Sequence, residues 1–144
     1  MDGWNVTAYP DGQIAGGYNY LFYEAKLNTM TLPKKGWIVN SQNLEKWFDV
    51  YLVKLGLNEK EIKDFKEYWL KQLTHSKYYD IRLLDATFLK KHMKLNIDPS
   101  PDTQIRRIFY FTPIEKEISL VEPTIETPER KGFTIVEWGG ILYE

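Results

Sequence analysis

Between Leu44 and Leu73 large apolar residues recur at three- and four-residue steps, with one glycine between the two runs. Leu44, Trp47, Phe48, Tyr51, Leu52 and Leu55 fall on one face of a helix, and Ile62, Phe65, Trp69 and Leu73 stripe a second. Ser41 is placed to cap the first helix, and Gly56 stands where a helix needs a left-handed terminator. Asn58 with Glu61 three residues on reads as the start of the second helix. So short a connection makes the two helices neighbours in a hairpin. Their apolar faces must pack against something, and the flanking segments have to supply it.

Those flanks read as strands. Trp4, Val6 and Ala8 alternate with polar residues, the period-two pattern of a half-buried strand. Pro10-Asp11-Gly12 is a turn signal, and Gly16-Gly17 introduces the aromatic run Tyr18 to Glu24, so a hairpin with a loose or bulged connection is expected. Gly36 to Asn40 is one more short strand. After the helices the strand pattern returns at Tyr78–Leu84, Lys94–Ile97, Ile105–Thr112, Ile118–Val121 and Phe133–Glu137. Ala86–His92 fits a helical turn, and Asp98-Pro99-Ser100-Pro101-Asp102 is a loop. The terminal run Glu129 to Gly140 reads as a strand that starts after Gly132 and stops at the glycine pair Gly139-Gly140. The expected fold class is α+β, a mostly antiparallel sheet with the two-helix hairpin inserted between β-rich N- and C-terminal parts. At 144 residues a single domain over 1–144 is the expectation.

Composition narrows the function classes. A net charge of −1 gives no general pull toward nucleic acid or anionic lipid. No apolar stretch approaches the roughly 18 residues of a membrane span, and no signal peptide is legible. Absence of cysteine removes disulfides, thiolate metal sites and cysteine nucleophiles. Aromatics are abundant at 15%, which suits core packing first and sugar or peptide surfaces second.

Chemistry-bearing patterns are sparse. There is no G-x-S-x-G elbow and no H-x-x-x-H or H-E-x-x-H pair, and His75 and His92 read as exposed or hydrogen-bonded histidines. Asp80, Asp98 and Asp102 lack the alternation of a calcium loop. No metal and no cofactor is implied. One enzymatic idea stands: Glu24 ends an aromatic strand and Glu137 lies inside an apolar one, so paired carboxylates across a cleft could cleave a glycosidic bond. Against it, Glu137 could face solvent or pair with Arg106, Arg107 or Arg130. Arg106-Arg107 beside Phe109, Tyr110 and Phe111 is too short a basic run for nucleic acid.

Four stretches together resemble one protein family: Gly3 to Gly12, Tyr18 to Glu24, Leu95 to Thr103 and Glu129 to Gly140. In its short form the pattern is GWxVxAxPDG, YxYLFxE and ERxGFTxVEWGG, and the family is one of bacterial proteins with no assigned function. Tyr23 stands where the family often has tryptophan, and Ala25 replaces its usual glycine. Larger members look secreted or envelope-associated and carry a further β-rich segment ahead of the Gly-Trp motif. The resemblance implies a short member or a piece of a longer protein, an extracellular or cell-surface setting, and no catalytic residues.

The expected function is a non-enzymatic binding or assembly module of a bacterial surface or secreted protein. Its candidate binding residues are Trp4, Tyr20, Tyr23, Arg130 and Trp138. Its partner would be a protein or the chain itself, with a glycan as the other candidate, and homo-oligomers fit an exposed sheet edge. The alternatives are a glycan-directed hydrolase using Glu24 and Glu137, and a cytosolic interaction domain docking through the helical hairpin.

Overall fold

The computed structural model describes residues 3–27 and 31–143. The chain divides into two compact units, Met1–Met30 and Thr31–Glu144. Among the described residues, all the regular helices and strands lie in the second. Its strands are β1 (Trp37–Asn40), β2 (Tyr78–Leu83), β3 (Thr103–Ile114) and β4 (Thr134–Leu142), and its helices are α1 (Leu44–Lys54), α2 (Glu59–Gln72) and α3 (Ala86–His92).

The strands form one sheet in the order β1-β2-β3-β4. The β1–β2 and β2–β3 pairs are antiparallel, with Trp37 opposite Ile81 and Ile81 opposite Phe111, while β3 and β4 run parallel. The class is therefore α+β on a mostly antiparallel sheet, as the sequence implies. The hairpin covers one face of it: Trp37, Val39, Tyr79, Ile81, Phe109 and Phe111 join Leu44, Phe48, Leu52, Phe65 and Trp69 in a single buried cluster. Phe48, Phe65, Phe109 and Phe111 are each 0% exposed, and full burial of such a side chain contributes roughly 1.5–3 kcal/mol.

Helix ends follow the sequence with one change. The Leu57 and Gly56 N–H groups reach back to the Leu52 and Val53 carbonyls, each at 3.0 Å, a two-bond closure that requires the +99° φ of Gly56. Asn58 Oδ1 accepts from the Glu61 N–H and Glu61 Oε1 from the Asn58 N–H, both at 2.9 Å, completing a capping box. Ser41, however, is not the cap of α1. It opens a 3-10 turn over Ser41–Asn43, and Asn40 Oδ1 caps that turn by accepting from the Gln42 N–H at 2.9 Å. The helical run thus begins one residue earlier than expected, with Asn40 as its cap and Ser41 inside the first turn.

Four strand expectations fail. Lys94–Ile97 and Ile118–Val121 have no regular structure and belong to no strand of the sheet. The parallel β3–β4 pair needs a crossover, and this one contains no helix. It is pinned instead by the Gly36 N–H on the Val121 carbonyl at 3.0 Å, by the Tyr51 hydroxyl on Glu122, and by Arg130 on Glu61 and the Gly56 carbonyl. In the first unit Pro10-Asp11-Gly12 does turn the chain, with the Gly12 N–H on the Tyr9 carbonyl at 2.9 Å. Among the described residues, the alternating segment at residues 4–8 and the run at 18–24 nevertheless form isolated bridges alone, Ala8 with Ile14 and Ile14 with Tyr18. Their apolar side chains stay exposed, so alternation there buries no face and fixes no register.

The terminal strand is longer than expected: β4 continues through Gly139-Gly140 to Leu142. A side chain at Gly140 would meet Phe111 at 2.7 Å and Trp69 at 2.8 Å, so that glycine admits a close ring approach in mid-strand and does not end it.

Candidate functional site

The Glu129–Gly140 run, the strongest motif in the sequence, is spent on structure. Arg130 ties to the capping-box residue Glu61 and to the Gly56 carbonyl at 2.8 Å. Gly132, at a φ of +62°, lies where a side chain would strike the Asp102 carboxylate. That carboxylate accepts from the Phe133 N–H at 2.8 Å and registers the starts of β3 and β4. Glu137 is ion-paired to Arg106, which also donates to the Met93 carbonyl at 2.6 Å. The Trp138 ring packs edge-on against Phe65, their centroids 5.5 Å apart.

The remaining candidates belong to the first unit. Trp4 and Tyr23 are brought together there, ring centroids 6.2 Å apart, at 50% and 40% exposure, and Tyr20 is likewise exposed. Glu24 is an exposed carboxylate of that unit, while Glu137 is engaged by a guanidinium in the other. The helical stripe named as a docking face is buried against the sheet: Leu44, Phe48, Leu52 and Leu55 are at most 1% exposed. Val50 and Val53 are what α1 leaves to solvent.

A different feature stands out in the second unit. A groove of about 1090 Å³ is lined by the segment before β1, the end of β2, α3 and the residues after it, the start of β3, and two prolines of the crossover. Six cations line it: Lys34, Lys35, Lys90, Lys94, Arg106 and Arg107. Among the described residues the one lining carboxylate is Asp85, whose Oδ1 accepts from the Phe88 N–H at 2.8 Å as the cap of α3. Setting Asp85 and Glu137 against the six leaves a surplus of four positive charges.

The local structure explains this surplus. Lys34 and Lys35 precede β1 just after Pro33, whose carbonyl accepts from Arg82 at 2.6 Å. Lys90 sits in the last turn of α3, where cations complement the helix dipole. Among the described residues none of the four lysines has a carboxylate partner. Arg107 faces the helices and donates through Nε to the Leu55 carbonyl at 2.9 Å, with no carboxylate partner among the described residues. Burial holds its guanidinium below the ordinary arginine value. A partly desolvated cation without a counter-ion gains from an incoming anion.

Nothing in the groove arranges a nucleophile with a base, and no group of three or more His, Asp or Glu among the described residues could hold a metal ion. Its lining includes no aromatic side chain, and its base carries Leu83, Leu84, Leu89, Leu95 and Ile105. Chemically, such an arrangement can attract an anion and offer apolar contacts beside it. Sequence reasoning missed it because its cations come from four separate segments with no shared period. The available signal was the lysines at 34–35 and 90–91, which have few acids near them in the chain.

Fold and groove together define an α+β protein with a cationic groove. No protein-family model, no curated protein and no solved structure matches this chain.

Proposed function

We propose that this chain is a non-catalytic binding module and that its groove takes an anionic ligand. The observation that carries this is the surplus of four positive charges in one groove of a chain whose net charge is −1. Evenly mixed charges would make a solvated face. A one-sign cleft focuses potential and draws ions of the opposite sign. The motif resemblance supports placing the module in a bacterial surface or secreted protein.

The test is binding of fluorescein-labelled polyanions, oligoglutamate and inorganic polyphosphate, followed by anisotropy. Binding is expected to saturate and to weaken as salt rises from about 0.1 to 1 M, where the Debye length falls from roughly 10 to 3 Å. The double variant Lys90→Glu/Lys94→Glu loses it, and Lys46→Glu/Lys63→Glu on the helical hairpin keeps it. If no anion binds, or if the two double variants behave alike, the groove is not the site. Light scattering of the chain alone distinguishes ligand binding from self-assembly: a concentration-dependent oligomer that the Lys90→Glu/Lys94→Glu change dissolves would make another copy the anion.

A further inference from the structure

β3 is longer than its antiparallel partner. The β2 register ends with Leu83 opposite Phe109, and one further bond, the Leu84 N–H to the Ile108 carbonyl at 2.9 Å, extends it. From Thr103 to Arg107 the strand pairs with β4, and among the described residues no strand lies on its other flank. Ile108 turns its carbonyl to that flank. Strand alternation then turns the N–H and C=O groups of Arg106 and Gln104 the same way. Both residues line the cationic groove. An uncovered strand flank is a template for another chain.

We infer that the groove's ligand is an extended acidic peptide that adds as a short strand to β3 along Gln104–Arg106, continuing the line of β2 beyond Leu83. The inference rests on the anion-binding reading and names its partner. Three features favour a peptide. Only a peptide backbone offers the alternating donors and acceptors that a strand flank requires. The lining has no aromatic ring, whereas single-stranded nucleic acid is held largely by stacking. The lysines stand beside aliphatic residues, so a sequence alternating acidic with aliphatic side chains meets both as successive residues point to opposite faces. The five residues of the open flank span roughly 17 Å, which holds about five residues of an extended ligand, so an octapeptide covers it with residues to spare.

The experiment uses the full chain and a fluorescein-labelled octapeptide of alternating glutamate and valine. Two further versions carry N-methyl groups on the odd or on the even residues, removing the N–H groups of one flank while keeping the charge. Anisotropy is expected to show one methylated peptide weakened at least about tenfold and the other close to the parent, because only one flank faces β3. Amide exchange at Gln104 and Arg106 slows when the parent peptide is bound. Lys90→Glu/Lys94→Glu weakens the parent by about tenfold or more, with an unchanged far-ultraviolet spectrum. Equal affinity of all three peptides overturns strand addition and leaves the anion groove standing. Tighter binding of polyphosphate, or of a single-stranded oligonucleotide of equal charge, overturns the peptide as partner. Failure of every anion overturns the underlying reading as well.

Discussion

Gly140 offers the sharpest test of how β4 is built. A Cβ there would lie 2.7 Å from Phe111 Cε2 and 2.8 Å from Trp69 Cζ2, with Trp69 Cη2 at 3.1 Å. Ordinary carbon contacts begin near 3.5 Å, so both rings would have to retreat by roughly 0.7 Å. Neither can do so freely: Phe111 is 0% and Trp69 6% exposed, and their centroids are 4.9 Å apart within the main aromatic cluster. Overpacking of this kind costs typically about 1–3 kcal/mol. Gly140→Ala should therefore lower stability by about 2 kcal/mol, or Tm by about 6–10 °C for a chain of this size. The neighbouring glycine is the control. A Cβ at Gly139 meets only Ile108 Cδ1 at 3.5 Å, and neither glycine has a positive φ, so backbone strain does not confound the comparison. Gly139→Ala should be neutral or stabilising by up to about 1 kcal/mol, through reduced freedom of the unfolded chain. Urea titration followed by tryptophan fluorescence, with thermal melts by circular dichroism, reads both. Equal stabilities for the two variants would refute the argument that Gly140 exists to admit the two rings.

Glu137→Gln removes the counter-charge of an Arg106 side chain that is only 13% exposed, and should cost about 3 kcal/mol in a urea titration, while Glu24→Gln, on an exposed residue, should change stability by less than about 0.5 kcal/mol. Asn58→Ala breaks the capping box and should cost about 1 kcal/mol; a larger loss of amide protection in the first turn of α2 than elsewhere would locate the effect. Stability should also fall at alkaline pH. Tyr51 is pushed up by burial and then by Glu122, and Tyr110 by burial and then by Tyr143. Both phenols thus keep their protons longer folded than unfolded. Their contribution is complete below the ordinary tyrosine value of about 10 and is lost as pH rises from there through the folded values. Denaturation midpoints between pH 8 and 11 should be flat and then decline, and Tyr51→Phe should shallow the decline; an unchanged slope would remove Tyr51 from the account.

The helical hairpin was legible because its cause is local. Leu44 to Leu55 and Ile62 to Leu73 carry their own period, and Gly56, Asn58 and Glu61 carry the chemistry of the turn between them. β2 was legible too, whereas Ala86–His92 read only as a possible helical turn and is a helix capped by Asp85. The segment from Trp4 to Glu24 shows the limit of that logic. Alternation marks a strand only when one face is covered and the next strand is in place, and neither condition is written in the residues themselves. The run at 118–121 misleads in the same way: Ile118, Leu120 and Val121 have strand character but serve a crossover with one backbone bond to Gly36.

By itself the sequence determined the periodic elements, the α+β class and the absence of any thiol chemistry, since each follows from residues close together or from composition. Only the tertiary structure decided that β4 runs parallel to β3, that Glu137 belongs to Arg106, and that Lys34 and Lys35 line one groove with Lys90 and Lys94. The physical reason is the same in each case. Charge pairing and strand pairing act between groups brought close in space, and no local period records which distant residues the packed core will set side by side.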